Sequence, residues 1–201
     1  MMGAGGGRGH ILGVARGLFM TRGFRAVSTR DIAVAAGLTQ PALYHHFGSK
    51  EDLYIAVLED ELRQLAKALR SAASRELPGI DRLRAVVMAI AERAEYDLSQ
   101  MFHDLRLEIS AENRQHLRLV FRESMLLPVL TVLDAMVEEE VIGPIERTGL
   151  ARHEAAMLVL MVIRLLTQPG PATEGRHRST SELAELTVTL VVSAIRPPAM
   201  Q

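Results

Sequence analysis

Residues 27–53 decide the fold, and they read VSTRDIAVAAGLTQPALYHHFGSKEDL. The stretch begins with a helix-start signal, because Ser28 and Asp31 have the spacing of a capping box, in which each side chain bonds the other residue's backbone N–H. Gly37 suits the left-handed backbone conformation that ends many helices. Thr39 is typical of the residue that caps a new helix. A helix, a tight turn and a short helix in this order predict a helix-turn-helix.

Neighbouring residues support the same helix boundaries. Val27 and Ile32 flank the capping box as a hydrophobic staple. Pro41 suits the first turn of the second helix, where no backbone donor is needed. Ser49 and Asp52 predict the start of a further helix. In such a unit, the second helix is the one that enters the major groove of DNA.

The segment resembles the DNA-binding domain of the TetR family of bacterial transcriptional regulators. The resemblance covers residues 8–54, about a quarter of the chain, and the rest is similar only in length and helical character. The resemblance implies an all-α protein of about nine helices, with a three-helix N-terminal domain and a C-terminal helical bundle for ligand binding and dimerisation. The matching residues are Ile11-Leu12, Ala15, Leu18-Phe19, Arg22-Gly23-Phe24, Ser28-Thr29, Asp31-Ile32-Ala33, Ala36-Gly37-Leu38, Ala42-Leu43-Tyr44-His45-His46-Phe47 and Ser49-Lys50-Glu51-Asp52-Leu53.

The composition limits the class of protein. A chain of 201 residues with 48% hydrophobic side chains can build one large domain or two modest ones. Cysteine is absent, which excludes disulfides and thiolate metal sites and fits a reducing cytoplasm. The longest apolar run, residues 155–163, is far shorter than the roughly twenty residues of a bilayer span. The glycine-rich N-terminus lacks the apolar core of a secretory signal. We therefore expect a cytoplasmic protein without a membrane association.

Charge is distributed unevenly along the chain. Residues 1–50 contain 6 basic side chains and 1 acidic side chain, a net charge of +5. The remaining 17 basic and 23 acidic side chains give residues 51–201 a net charge of −6, and the two parts sum to the overall −1. A basic segment joined to an acidic remainder is the pattern expected of a DNA-binding domain on a body that does not bind DNA.

Breaks in the helical pattern divide the chain. We expect a flexible glycine-rich arm at 1–9, a helix-turn-helix domain at 10–50 and a helical regulatory and dimerisation domain at 51–201. The helix at about 50–75 connects the two domains, and Pro128 is expected to kink a later helix. Helices are expected at about 10–22, 29–36, 40–46, 50–75, 80–99, 100–110, 112–141 and 152–167, with a last helix that starts at Ser179 and stops before Pro197.

The third helix is too short for two structural faces, so residues that do not face the core face solvent or DNA. Leu43 and Phe47 are expected to point inward. Gln40 lies at the N-terminus of the helix, where base contacts are made in this geometry, and its amide can pair with adenine. Ala42 offers a methyl group to a thymine methyl. The expected DNA contacts are Thr29, Arg30, Thr39, Gln40, Ala42, Tyr44, His45 and Lys50.

Several of these contacts are expected to go to phosphates. Thr29 lies beside Arg30 in the first turn of the second helix, where free amides attract an anion. The resemblance implies phosphate contacts for Tyr44 and Lys50. The alternatives are a half-buried packing role for Tyr44 and a solvated position for His45. One such domain reads only a few base pairs, so useful specificity requires a homodimer on a palindromic double-stranded DNA operator.

The helices at 152–167 and after 179 are apolar nearly all round, which is typical of helices that are buried on all sides. The resemblance implies a four-helix dimer interface here, and an ordinary internal core is the alternative. The expected interface residues are Ala156, Leu160, Ile163, Leu186, Leu190 and Val191.

Methionine and aromatic residues are frequent between residues 88 and 136, and methionine adapts to varied apolar ligands. We expect a pocket for a small-molecule effector here. The alternative is that these side chains fill the core, which is the more frequent role of methionine at helical spacing. The expected lining residues are Met88, Tyr96, Met101, Phe102, His103, Phe121, Met125 and Met136.

Together these features predict a dimeric repressor that a small, largely apolar ligand releases from its operator. The alternative is a DNA-binding adaptor that a protein partner controls without a small molecule. Activation in place of repression also stays open, because the sequence does not show where the operator lies. No glycine-rich phosphate loop, metal-ligand cluster or Ser/His/Asp arrangement indicates an enzyme, and no cofactor or metal is expected.

Overall fold

The computed structural model of the protein describes residues 4–74, 76–93, 109–167 and 178–195. These residues contain helices and no β-strand, which confirms the expected all-α class. A π-helical turn, Arg122–Leu126, precedes α7, and a 3-10 turn, Ile145–Thr148, precedes α8. The α-helices are α1 (Ala4–Ala26), α2 (Thr29–Ala35), α3 (Gln40–His46), α4 (Lys50–Ala73), α5 (Gly79–Ala91), α6 (Ala111–Phe121), α7 (Leu127–Glu138), α8 (Arg152–Thr167) and α9 (Thr180–Ala194).

The first helix starts earlier than its sequence indicates. Residues 4–9, which composition assigns to a flexible arm, form the first turns of α1. Once residues 10–22 are helical, each further residue adds a backbone hydrogen bond without a new nucleation cost, which offsets the roughly 1 kcal/mol that each glycine costs. The helical backbone is interrupted at Gly23, where φ is 76°, close to the expected end.

The long helix expected at 112–141 is divided ahead of Pro128. Its backbone becomes π-helical over Arg122–Leu126 and returns to α-helix at Leu127. The physical reason is that a proline ring displaces the carbonyl four residues earlier and offers no N–H, so the disturbance lies in the turn before the proline. The helix expected at 100–110 lies almost entirely outside the described residues.

The chain divides into two compact units. The head unit comprises residues 4–62 and 109–120 of the described chain, and the body unit comprises 63–93, except for residue 75, together with 121–167 and 178–195. The helix α4 contributes residues to both units. The head therefore extends beyond residue 50, because buried side chains of α4 such as Leu53 and Tyr54 belong to the same core as α1.

The head core is built around three aromatic rings. Phe19 and Tyr54 meet edge to face with ring centroids 4.9 Å apart, and Phe24 lies 4.9 Å from Tyr54. Arg16 of α1 pairs with Glu61 of α4 at 2.6 Å. Ile109 and Leu117, at the start and in the middle of the 109–120 segment, are buried in the same core.

Glu51 holds the 109–120 segment in the head by two hydrogen bonds. Its Oε1 accepts from the Ser110 backbone N–H at 2.9 Å and from Asn113 Nδ2 at 2.7 Å. Burial by itself raises the pKa of Glu51, but these hydrogen bonds outweigh burial and lower the pKa below its ordinary value. The ionised form of Glu51 is therefore the one that stabilises this attachment.

The body is a layered packing of α5, α7, α8 and α9, with α5 in contact with both α7 and α9. The helices α5 and α7 approach closely at Gly79, where a Cβ atom would come within 2.9 Å of the Met136 backbone nitrogen. The Gly79 N–H donates to Glu139 Oε2 at 2.7 Å. On the surface, Arg84 of α5 pairs with Glu185 of α9 at 2.6 Å.

Within the described ranges, no helix combines the length and the apolar character needed to cross a bilayer.

Candidate nucleic-acid interface

The start of α2 is set by the capping box that the sequence predicts. The Ser28 hydroxyl accepts from the Asp31 N–H at 3.1 Å, and Asp31 Oδ2 accepts from the Ser28 N–H at 2.9 Å. Hydrogen bonds from the Ser28 side chain and backbone lower the pKa of Asp31. Val27 and Ile32, the expected staple, are both buried.

The turn after α2 brings α3 against it. Gly37 has φ of 68°, and the Leu38 N–H donates to the Ala33 carbonyl at 2.8 Å while the Gly37 N–H donates to the Val34 carbonyl at 3.1 Å. These two bonds form a Schellman motif, which satisfies the last carbonyls of the helix. The left-handed glycine predicted from the sequence is confirmed.

The short helix α3 exposes one face and buries the other. The Thr39 hydroxyl caps it by accepting from the Ala42 N–H at 3.4 Å. Leu43 and Phe47 are 1% and 5% exposed, so both point into the head core as expected. Because the inward face is apolar and closed, the polar residues of α3 are available to a partner outside the head.

The residues expected to contact DNA are accessible. Arg30, Thr39, Gln40, Tyr44 and His45 are exposed, whereas Thr29, Ala42 and Lys50 are half-buried. Tyr44 is 48% exposed although it is a large aromatic side chain, so about half of its surface is open to a partner.

Three of these side chains form a hydrogen-bonded chain between α2 and α3. Gln40 Nε2 donates to Thr29 Oγ1 at 3.3 Å, and Thr29 Oγ1 lies 3.2 Å from the Tyr44 hydroxyl. Gln40 and Tyr44 are four residues apart and therefore share one face of α3. The chain thus places an amide, at the helix end expected to read bases, next to a hydroxyl suited to a phosphate.

Lys50 is positioned by an aromatic ring. Its Nζ lies 4.2 Å from the centroid of the Phe24 ring. A cation at the start of a helix is unfavourable because of the helix dipole, and attraction to the ring offsets part of that cost. Sequence reasoning selected Lys50 but did not reveal its partner, because nothing local links residue 24 to residue 50.

Arg8, which is not among the DNA contacts expected from the sequence, also lies close to α3. Its guanidinium carbon lies 4.9 Å from the centroid of the Phe47 ring, at the end of α3. A Cβ atom at Gly7 would lie 3.8 Å from the His46 ring. The first turns of α1 therefore run along the C-terminal end of α3 and brace it.

Most of the expected dimer residues lie on the inward faces of their helices. Ala156 and Ile163 are fully buried within the single chain, and Leu160 and Val191 are nearly so. Their own unit already covers most of the surface of these four side chains, and an interface through them stays a prediction. Leu186 is half-buried and Leu190 is 44% exposed.

A different face of α8 is open. Met157, Met161 and Leu165 repeat every four residues and are 37%, 58% and 76% exposed, and Leu158 beside them is 46% exposed. An open pocket at the start of α8 continues this face, since Met157 and Leu158 also line it. When a helix is apolar all round, the sequence cannot tell which face the protein's own core will cover.

The described members of the expected effector pocket differ in burial. Met125 and Met136 are buried, Phe121 is half-buried and Met88 is 39% exposed. The Met136 Cγ packs directly against Gly79, so this side chain fills the body core. The remaining expected residues, Tyr96, Met101, Phe102 and His103, lie outside the described residues.

Comparison with known proteins agrees with the geometry of the head. Residues 11–57 match the family model described as bacterial regulatory proteins, tetR family. The chain is 39% identical over 90 residues to the transcriptional activator FasR of Mycolicibacterium smegmatis, across 45% of this chain and 41% of that protein. It is 36% identical over 94 residues to the repressor KstR2 of Mycobacterium tuberculosis, across 47% of each.

These matches span less than half the length of either curated relative. The likeness in fold extends further. The TetR family transcriptional regulator PfmR from Thermus thermophilus superposes with a TM-score of 0.70 at 26% identity, across 91% of this chain and 97% of that chain.

Proposed function

From the likeness of residues 11–57 to the tetR family model, we infer that this chain is a sequence-specific DNA-binding transcription regulator of that family and that it acts as a homodimer on a palindromic operator. The observation that carries the proposal is the exposed polar face of α3, with Gln40, Tyr44 and Thr29 joined by hydrogen bonds at its open side. Gln40 reads a base edge in the major groove, and Tyr44 and Lys50 bind phosphates.

The homodimer forms through the open apolar face of α8. Met157, Leu158, Met161 and Leu165 are exposed apolar side chains of this face, and Leu190 is an exposed apolar side chain of α9, which packs against α8. Several large apolar side chains exposed together on one helix are typical of a protein–protein interface. A second copy is the fitting partner, because one head reads too few base pairs for a useful specificity.

We further propose repression that a small, largely apolar effector relieves. The side chains that support a pocket are Met88, which is partly open, and Phe121 and Met125 at the π-helical turn. Such π-helical turns within α-helices are frequent at functional sites. The effector shifts the separation of the two heads through α4, which is one continuous helix from head to body. A hundredfold preference for the form that does not bind DNA supplies about 2.7 kcal/mol of coupling.

The central test is selection of bound duplexes from a random pool, followed by measurement of affinity for the enriched sequence. The expected result is a motif with two-fold symmetry and half-sites about one helical turn apart. A single half-site should bind far more weakly than the full site. Purified protein that prefers no symmetric duplex at moderate salt would contradict the proposed function.

The dimer surface has its own test and a matched control. Met161→Glu places a charge on the open apolar face of α8 and should convert the dimer to a monomer in sedimentation equilibrium. Leu119→Glu makes the same kind of change at an equally open position on α6, 53% exposed, and should leave the dimer intact. If both variants sediment as dimers, α8 is not the interface.

The effector is sought by a ligand screen for release of the operator, and each hit is checked by isothermal titration of operator into protein with and without the compound. A true effector lowers operator affinity about a hundredfold, and Met125→Ala should weaken its action. If every hit leaves operator affinity unchanged, repression relieved by a small molecule is refuted.

A further inference from the structure

We propose that Thr29 is a specificity-determining residue that orients the Gln40 amide so that it reads adenine and rejects guanine. The proposal rests on the function proposed above and gives this role to a side chain that itself touches no base. Its starting point is the pair of hydrogen bonds at Thr29 Oγ1, 3.3 Å from Gln40 Nε2 and 3.2 Å from the Tyr44 hydroxyl.

When DNA is bound, the number of hydroxyl protons decides which atom donates in each hydrogen bond between Tyr44, Thr29 and Gln40. Thr29 and Tyr44 each carry one hydroxyl proton. A phosphodiester oxygen can only accept a hydrogen bond, so the Tyr44 hydroxyl donates its hydrogen bond to the phosphate. The Tyr44 oxygen then accepts from Thr29, and Thr29 has no proton left for a further partner.

This order of donors and acceptors fixes the orientation of the Gln40 side-chain amide. Because Thr29 Oγ1 can now only accept, the amide must present its Nε2–H to it. A flipped amide would set Gln40 Oε1 against Thr29 Oγ1 with no proton between them, which is repulsive. The phosphate contact at Tyr44 thus determines the orientation of an amide on the same face of α3.

The fixed amide presents one donor and one acceptor outward, namely its second N–H and Oε1. Adenine offers the complementary pair in the major groove, the N7 acceptor and the N6 donor. Guanine offers two acceptors, N7 and O6, so Gln40 Oε1 would face O6. Without Thr29 the amide can rotate freely, and the penalty against guanine falls.

The local structure holds Thr29 in place for this role. Thr29 is half-buried in the first turn of α2, whose start is set by the capping box of Ser28 and Asp31. Its β-branched side chain has few rotamers. Gln40 and Tyr44 lie on α3, so the two hydrogen bonds join the helices at a point that the Schellman turn already brings together.

The experiment compares base preferences in duplex selection for the wild type, Gln40→Ala, Thr29→Val and Thr29→Ser. Valine keeps the shape of threonine without the hydroxyl, and serine keeps the hydroxyl without the methyl group. Gln40→Ala identifies the operator position that Gln40 reads, because the adenine preference disappears there. A good bidentate contact favours the correct base over a wrong one by roughly 5- to 150-fold. We expect Thr29→Val to lower the adenine preference about tenfold and Thr29→Ser to retain it.

Affinities for two defined duplexes separate this role from a structural one. At the position that Gln40 reads, Thr29→Val should weaken binding to the adenine duplex and leave binding to the guanine duplex unchanged or stronger. A merely structural defect lowers both equally and would overturn the proposal. Tyr44→Phe should lower affinity for every duplex and also reduce the adenine preference, because it removes the acceptor for the Thr29 proton.

The outcomes distinguish this inference from the proposed function. An unchanged adenine preference in Thr29→Val, with the preference lost in Gln40→Ala, overturns the role of Thr29 and leaves the proposed function standing. A wild-type protein that enriches no symmetric duplex overturns both.

Discussion

Replacing Gly79 with alanine is expected to destabilise the body, although alanine is the better helix former. The added Cβ would lie 2.7 Å from the Met136 Cγ, 2.9 Å from the Met136 backbone nitrogen and 3.1 Å from its Cα. The Cγ can move with its side chain, but the backbone of α7 can move only with the helix. The shift would also stretch the 2.7 Å hydrogen bond from the Gly79 N–H to Glu139.

The magnitude follows from these contacts. Overpacking of a dense core costs about 1–3 kcal/mol, and a weakened hydrogen bond to a carboxylate adds to that cost. The gain in helix propensity is at most about 1 kcal/mol, so we expect a net loss of about 2 kcal/mol. With a urea slope of about 2 kcal/mol/M, the unfolding midpoint falls by about 1 M.

Urea unfolding followed by circular dichroism at a fixed protein concentration measures this difference. The matched controls are Gly13→Ala and Gly17→Ala, two exposed positions of α1 at which a Cβ would meet nothing within 4 Å. Each control should raise stability by about 0.5–1 kcal/mol. If Gly79→Ala unfolds at the wild-type midpoint or above it, the close approach of α5 to α7 is refuted.

Three further predictions concern the head. Lys50→Gln should weaken binding to all duplexes alike and lower the slope of log affinity against log salt by about 0.9 for each protomer; an unchanged slope would mean that Lys50 does not meet a phosphate. Arg8→Ala should remove about 0.5–1 kcal/mol of ring contact and speed amide exchange of residues 7–12, whereas unchanged exchange would contradict the brace on α3. The lowered pKa of Glu51 means that its stabilisation is complete above the unfolded pKa of about 4.3 and is lost as pH falls through the lower folded value. The wild type should therefore lose more thermal stability than Glu51→Gln between about pH 5 and pH 3, and parallel losses would refute this role of Glu51.

The boundaries of α2 and α3 could be predicted because their causes are local. Ser28 bonds Asp31, and Gly37 closes α2 through hydrogen bonds that span only a few residues. The buried positions Leu43 and Phe47 also follow from the sequence, since a seven-residue helix has room for one apolar face. For the same reason, the accessible polar residues of α3 could be identified without a structure.

Other features depend on contacts between residues far apart in sequence, and only the tertiary structure decided them. Arg8 meets Phe47 and Lys50 meets Phe24 across intervals that carry no periodic signal. The outward face of α8 is the clearest case, since its sequence is apolar all round and both faces satisfy the pattern equally. Packing of α8 in the body buried Ala156 and Ile163 and left Met161 and Leu165 in solvent. Local hydrogen bonds define where a helix begins and ends, whereas the face that a helix buries depends on which surfaces meet when the whole chain folds.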